Sequence, residues 1–226
     1  MIIDRKLYRT VFMLIIAACL AACASANVKV SPLNEFPTPL VDPLPLSVGV
    51  YYSEEFRNFV YHEIQDSQGA NETVIDLGEA QVSLFDRLLP SVFASVKVLD
   101  EAERTHVPAG LDAVLLPEVA DIEYSAPLQS KAKIYEVWIK YQFELMAPDG
   151  SSIAKWTMPT YGKTPTAFLK SSEQALNLAS LMALRDCGAA FVTGFPRVPE
   201  IAQWMDHSGT GGSVGFTAPS EENPHE

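Results

Sequence analysis

Every second residue from Tyr135 to Leu145 is apolar or aromatic: Tyr135, Val137, Ile139, Tyr141, Phe143 and Leu145. A β-strand sends alternate side chains to opposite faces, so this run reads as a strand with one face buried and the other in water. The second face carries Glu136, Lys140, Gln142 and Glu144, with Trp138 set among them. Pro148-Asp149-Gly150 then supplies a hairpin turn, and 153–158 returns alongside. A sheet that is apolar on one side has to be covered there, and the rest of the chain is constrained to provide the cover.

Two helix patterns do so. Between 78 and 94, Leu84, Leu88 and Val92 stand beside Phe85, Leu89 and Phe93 in rows spaced by four, which is one apolar helix face. Pro90 interrupts that pattern and predicts a kink near Asp86. Ser171 opens a second helix with Gln174 at capping-box spacing. Leu176, Ala179, Ala183, Cys187, Ala190 and Phe191 give it a stripe rich in small side chains, which permits close approach to the sheet or to the other helix. Further strands are expected at 46–52, 96–99 and 111–124, with Pro117 arguing for an edge or bulge in the last. Residues 54–65 fit either a short helix or, paired with 73–77, a hairpin around Asp66-Ser67-Gln68-Gly69. The expected fold class is therefore α+β: a mainly antiparallel sheet with two helices packed on one face, in a single domain over 46–206. At about 160 residues such a domain buries roughly 70% of its extended surface and stands without disulfides or a metal.

The first 22 residues have the anatomy of a secretory signal. Arg5, Lys6 and Arg9 precede an apolar run from Val11 to Leu20, and small residues follow. That run is too short for a spanning helix, which needs roughly 20 apolar residues. It ends in Leu20-Ala21-Ala22-Cys23, which resembles a bacterial lipobox. The resemblance implies cleavage before Cys23 and diacylation of its thiol. It also implies outer-membrane sorting, because Ala24 and Ser25 follow and no Asp stands at the position that retains such proteins in the inner membrane. From 23 to 45 the chain carries Pro32, Pro37, Pro39, Pro43 and Pro45, which reads as an extended tether able to reach roughly 60 Å at about 3.1 Å per residue. The alternative is a segment laid along the domain through Phe36, Leu40 and Val41. Residues 207–226, glycine-rich and then acidic, are expected to form a disordered tail.

Charge and cysteine content narrow the chemistry. The net charge is −12, and removing residues 1–22 takes away three basic residues and one acidic, which brings it to −14. Such a chain is repelled by phosphate backbones, so no nucleic acid partner is expected, and the lipid has to hold the protein at its membrane. Loss of Cys19 with the signal and acylation of Cys23 leave Cys187 without an intrachain partner, in an apolar helix pattern that favours a buried thiol.

Catalytic patterns are incomplete. His62, His106, His207 and His225 show no metal-ligand spacing. Gly211-Gly212-Ser213-Val214-Gly215 matches a nucleophile elbow in letters but has neither the helix nor the later Asp that the motif needs. Ser152 and Lys155 share a Ser-x-x-Lys spacing, yet on an alternating strand they point to opposite faces. Glu101 and Glu103 are placed in a loop, and Asp121 and Glu123 on one strand face, as solvated carboxylates. No cofactor is expected. The candidate interaction residues are Trp138, Trp156 and Tyr161, aromatics on or beside paired strands.

In plan the chain is similar to small Gram-negative outer-membrane lipoproteins, among them the lipopolysaccharide-assembly lipoprotein and the auxiliary lipoproteins of ABC-type transporters. The lipobox Leu20 to Cys23 matches residue by residue, and the remainder is a likeness of architecture. The resemblance implies a non-enzymatic accessory subunit, anchored to its membrane through the N-terminal lipid, that docks to an envelope protein. Strong acidity and the lack of a basic cluster depart from the lipopolysaccharide-binding type and favour protein docking. Two other classes stay open: an envelope hydrolase, which would gather carboxylates with His62 or His106, and an apolar-ligand carrier using space between helices and sheet.

Overall fold

The computed structural model describes residues 26–30, 36–64, 72–127, 134–165 and 171–207. The fold is α+β, with two sheets in which three strand pairings are antiparallel, including the two longest, and three are parallel. The larger sheet has five strands in the order β5-β2-β6-β7-β8: β5 is Phe93–Val98, β2 Leu44–Val50, β6 Ala113–Ser125, β7 Ile134–Met146 and β8 Ser152–Pro165. β6, β7 and β8 form an antiparallel meander, whereas β2 pairs parallel with both of its neighbours. The smaller sheet, of order β1-β4-β3, joins β1 (Ala26–Lys29), parallel to β4 (Glu72–Asp76), to the antiparallel β3 (Val60–Ile64). Short helices α1 (Glu54–Arg57) and α3 (Glu101–Thr105), the longer α2 (Gly78–Val92) and α4 (Ser172–Gly194), a 3-10 turn at Phe195–Arg197 and the nine-residue α5 (Pro199–His207) complete the described elements.

Alternation in β7 does what its spacing requires. Val137, Ile139, Tyr141, Phe143 and Leu145 are buried, and α2 and α4 cover them with Leu84, Phe85, Leu88, Leu184 and Phe191. Rings fill the seam: Phe85 stands 5.8 Å from Phe143, Phe143 5.3 Å from Phe191, and Phe93 5.1 Å from Phe195. Within this core the Gln81 side chain donates to the carbonyl of Phe56 and accepts from the Tyr141 hydroxyl at 3.2 Å. The Ser171 hydroxyl accepts from the Gln174 amide at 3.2 Å and caps α4 as its spacing predicts. α4 is long and apolar enough to cross a bilayer by length and composition. Its apolar side chains instead belong to the core, with Leu176, Ala179, Ala183, Leu184 and Cys187 all buried.

Several sequence expectations need revision. Residues 54–64 are both alternatives in succession: Ser53 caps a single helical turn, and a strand antiparallel to β4 follows it, while Gln65 and the turn expected at 66–69 lie outside the described residues. Glu101 and Glu103 lie in α3, where a loop was expected, because Asp100 and Glu103 form a capping box. The stretch read as a tether is partly packed. β1 lies inside it, with Val28, Val30 and Phe36 buried, although Leu40 and Val41 are exposed. Apolar groups placed beside an apolar sheet are more stable buried than solvated, and this outweighs the extended preference of the prolines around them.

Candidate interaction face

β7 sits between β6 and β8, so the face of this meander turned away from the helices is made by three adjacent strands. At the β2 end that face is covered: Leu99 and Leu111 lie over Gly49, and Tyr51 donates its hydroxyl to Glu101 of α3. Over β6, β7 and β8 the described residues leave it open. Glu118, Asp121 and Glu123 are exposed on β6, Trp138 and Lys140 on β7, and Lys155 and Lys163 on β8.

Trp138 is the large apolar side chain of this open face, 39% exposed. Register places it directly between Glu123 and Tyr161. Its ring centroid lies 5.3 Å from that of Tyr161, tilted by 34°. The Tyr161 hydroxyl donates to Glu136 at 2.5 Å, and this bond to a carboxylate pushes the phenol above its ordinary pKa. Indole, phenol and carboxylate are thus held in one arrangement by cross-strand neighbours. Glu144 and Lys155 form an ion pair at 3.0 Å further along. Among the described residues, Lys140 and Lys163 have no ion-pair partner within 4.0 Å.

Trp156, grouped with Trp138 and Tyr161 from sequence, belongs elsewhere. It stacks on Phe143 at 5.2 Å and meets Phe195 at 5.9 Å on the helix-covered side. The cause is a one-residue bulge. Met146 pairs with Ser152 but Leu145 with Ala154, so Ile153 is left over and every later residue of β8 turns to the other face. The same slip brings Tyr161 outward opposite Trp138.

The edge of β8 is a poor docking strand. Pro159 and Pro165 offer no amide proton, and the Tyr161 amide donates to Asp186 of α4 at 2.9 Å. This leaves the face, rather than the edge, as the candidate surface of this part of the sheet.

The other candidate chemistry is dispersed. His62 pairs with Glu72 at 3.4 Å on the exposed side of the β3–β4 hairpin, and His106 is exposed at the end of α3. Among the described residues, no cluster of His, Cys, Asp and Glu is arranged to hold a metal. A hollow of about 90 Å³ beside the Pro148–Gly150 turn is lined by Arg104, Val114, Met146 and Asp149, with neither histidine in its wall. The space between helices and sheet, which a ligand carrier would need, is occupied by the ring cluster around Phe143. Cys187 is buried, and burial holds its thiol well above the ordinary value, the reverse of what a nucleophile requires. Cys23, the proposed acylation site, and the Gly211–Gly215 stretch lie outside the described residues.

No protein-family model matches the chain, and no curated protein matches its sequence. Several solved structures are similar in shape. A minor lipoprotein from Acinetobacter baumannii is 7% identical, with 67% of this chain and 91% of that one covered at a TM-score of 0.40. A hypothetical protein from Chlamydia trachomatis is 10% identical over 75% and 96% of the two chains, at 0.36. Lipoprotein GNA1162 from Neisseria meningitidis is 16% identical over 61% and 94%, at 0.28. Likenesses of this degree assign no family. Fold and face together define a class only: a mixed α+β domain whose large sheet is sealed by helices on one side and presents an aromatic and charged surface on the other.

Proposed function

We propose that the protein is a non-enzymatic accessory subunit of the bacterial envelope, lipid-anchored in the outer membrane through Cys23 and facing the periplasm. Its domain binds another envelope protein of a transport or assembly system through the open face of β6, β7 and β8. The observation that carries the reading is Leu20-Ala21-Ala22-Cys23, placed directly after a basic segment and a short apolar run. A diacylglyceryl group supplies the two chains that stable anchoring takes, which matters for a chain this acidic. The docking half of the proposal is supported by Trp138 and Tyr161. A half-exposed indole fixed by a neighbouring ring loses little side-chain freedom on binding and is the type of group that dominates interfaces.

Two measurements test it. Mass spectrometry of the mature N-terminus should show a diacylglyceryl-modified residue 23, and Cys23→Ser should release the protein from the membrane fraction; a variant that stays as firmly bound removes the anchor. Partners recovered from solubilised envelope should be lost in a Trp138→Ala, Tyr161→Ala pair. Trp156 is left intact, because its substitution would disturb the core. An unchanged set of partners removes the face from the proposal.

A further inference from the structure

The place of β1 limits how far the domain can stand from residue 23. Register aligns Ala26 with Thr73, and β1 runs parallel to β4, so the chain preceding Ala26 leaves the small sheet at the end where β4 begins. Cys23 is three residues before Ala26. A trans chain spans at most about 3.6 Å per residue, so the two are within about 11 Å of each other whatever conformation joins them. The proline-containing stretch follows β1 and adds no reach, because the chain is already fixed to the domain at Val28 and Val30, both buried.

Other elements locate that end within the whole domain. Ile64 pairs with Glu72, the residue before Thr73. Tyr124 donates its hydroxyl to Thr73 at 2.8 Å and its ring lies 6.3 Å from that of Tyr61, so the small sheet abuts the last residues of β6. There Ser125 pairs with Glu136, and Ile134 with Pro165. The Pro148–Gly150 turn lies at the opposite end of β7. Glu136 and Met146 are ten residues apart, or about 34 Å at about 3.4 Å per residue. Ile64, an apolar side chain 63% exposed, stands at this same end.

We infer that the anchor holds the domain directly against the bilayer by the end that carries Ala26, Ile64 and Ser125. The Pro148–Gly150 turn then points into the periplasm, and the open face of β6, β7 and β8 stands edge-on to the membrane. This orientation rests on acylation of Cys23. It makes the face accessible from the side, to a partner seated in or beside the same membrane.

The test uses the acylated full-length protein in vesicles of phosphatidylethanolamine and phosphatidylglycerol whose headgroups carry an energy-transfer acceptor. Cys187 is buried and Cys23 blocked, so a donor dye can be attached at Ile64→Cys or at Asp149→Cys. Transfer from position 64 should exceed transfer from 149 several-fold, and a flexible insertion of about twenty residues between Cys23 and Ala26 should bring the two together. Equal transfer from both positions in a protein shown to be acylated overturns the orientation and leaves the anchor standing. An unmodified residue 23 with no transfer from either position overturns both.

Discussion

A Cβ atom on Gly162 would stand 2.0 Å from the carbonyl oxygen of Ala179 and 2.3 Å from the amide nitrogen of Ala183. β8 and α4 therefore meet backbone to backbone, and the small side chains of the α4 stripe are what let them. Gly162→Ala inserts a methyl where the obstacle is main chain and cannot rotate away. Overpacking a core costs about 1–3 kcal/mol when side chains can yield. Here the expected loss is at the upper end of that range or beyond, seen as a lower denaturant midpoint. An unchanged midpoint would mean the crossing is looser than described.

Gln81 is a buried polar residue that joins three elements. Its amide donates to the Phe56 carbonyl of α1, and its carbonyl accepts from Tyr141 of β7. Replacing it with Leu of similar size strands a carbonyl and a phenol in the core. Each abandoned buried group costs about 1–3 kcal/mol. Gln81→Leu should thus lower stability by about 2–6 kcal/mol, and adding Tyr141→Phe should recover part of it. Strict additivity of the two substitutions in a double-mutant cycle would refute the network.

The bulge in β8 separates the two strand tryptophans by consequence. Trp156→Ala removes a ring stacked on Phe143 and should cost about 3 kcal/mol. Trp138→Ala loses a surface pair with Tyr161 and should cost about 1 kcal/mol or less while abolishing partner recovery. Equal destabilisation by the two would place both on the same face.

These residues also mark what was legible beforehand. The period of β7, the rows of α2 and the cap of α4 are local patterns, and each formed where its spacing put it. The orientation of Trp156 was not legible, because one unpaired residue at Ile153 reverses the parity of a strand and leaves no sign in composition. The parallel pairing of β2 with β5 and β6, and of β1 with β4, joins segments far apart in sequence, and only the filled core selects it. β1 was hidden further by the prolines downstream, which give the segment the look of a spacer. Of the candidate face, the presence of Trp138 among charges was readable; its pairing with Tyr161 depended on the bulge.

Alkaline pH should unfold the protein in a defined window. Burial pushes the Tyr52 phenol above its ordinary value, with the adjacent Asp86 carboxylate adding to it, and burial does the same for Tyr141. A raised folded-state pKa favours the protonated form in the fold. Below about pH 10 both states keep the proton and the contribution is complete; above it the unfolded chain ionises first and stability falls. Two such groups give a loss of up to about 2.7 kcal/mol per pH unit. Ultraviolet titration should show these tyrosines ionising together with unfolding. Smooth ionisation of every tyrosine near pH 10 with the fold intact would contradict their burial.

Cys187 offers a direct reading of core integrity. Its thiol is fully enclosed on α4, and burial raises its pKa, with Asp186 next to it contributing in the same direction. Thiolate, the reactive form, is therefore scarce, and reagents have no path to it. In the native protein at pH 8, modification by a maleimide should proceed only as fast as the domain opens and should become fast in denaturant. The same measurement grades the other variants. Gly162→Ala and Gln81→Leu, which loosen the packing of α4 or its core, should accelerate labelling about tenfold for each 1.4 kcal/mol of stability lost. Trp138→Ala, confined to the open face, should leave the rate nearly unchanged. Rapid labelling of the wild-type chain would show that the helix-covered side of the sheet is not sealed.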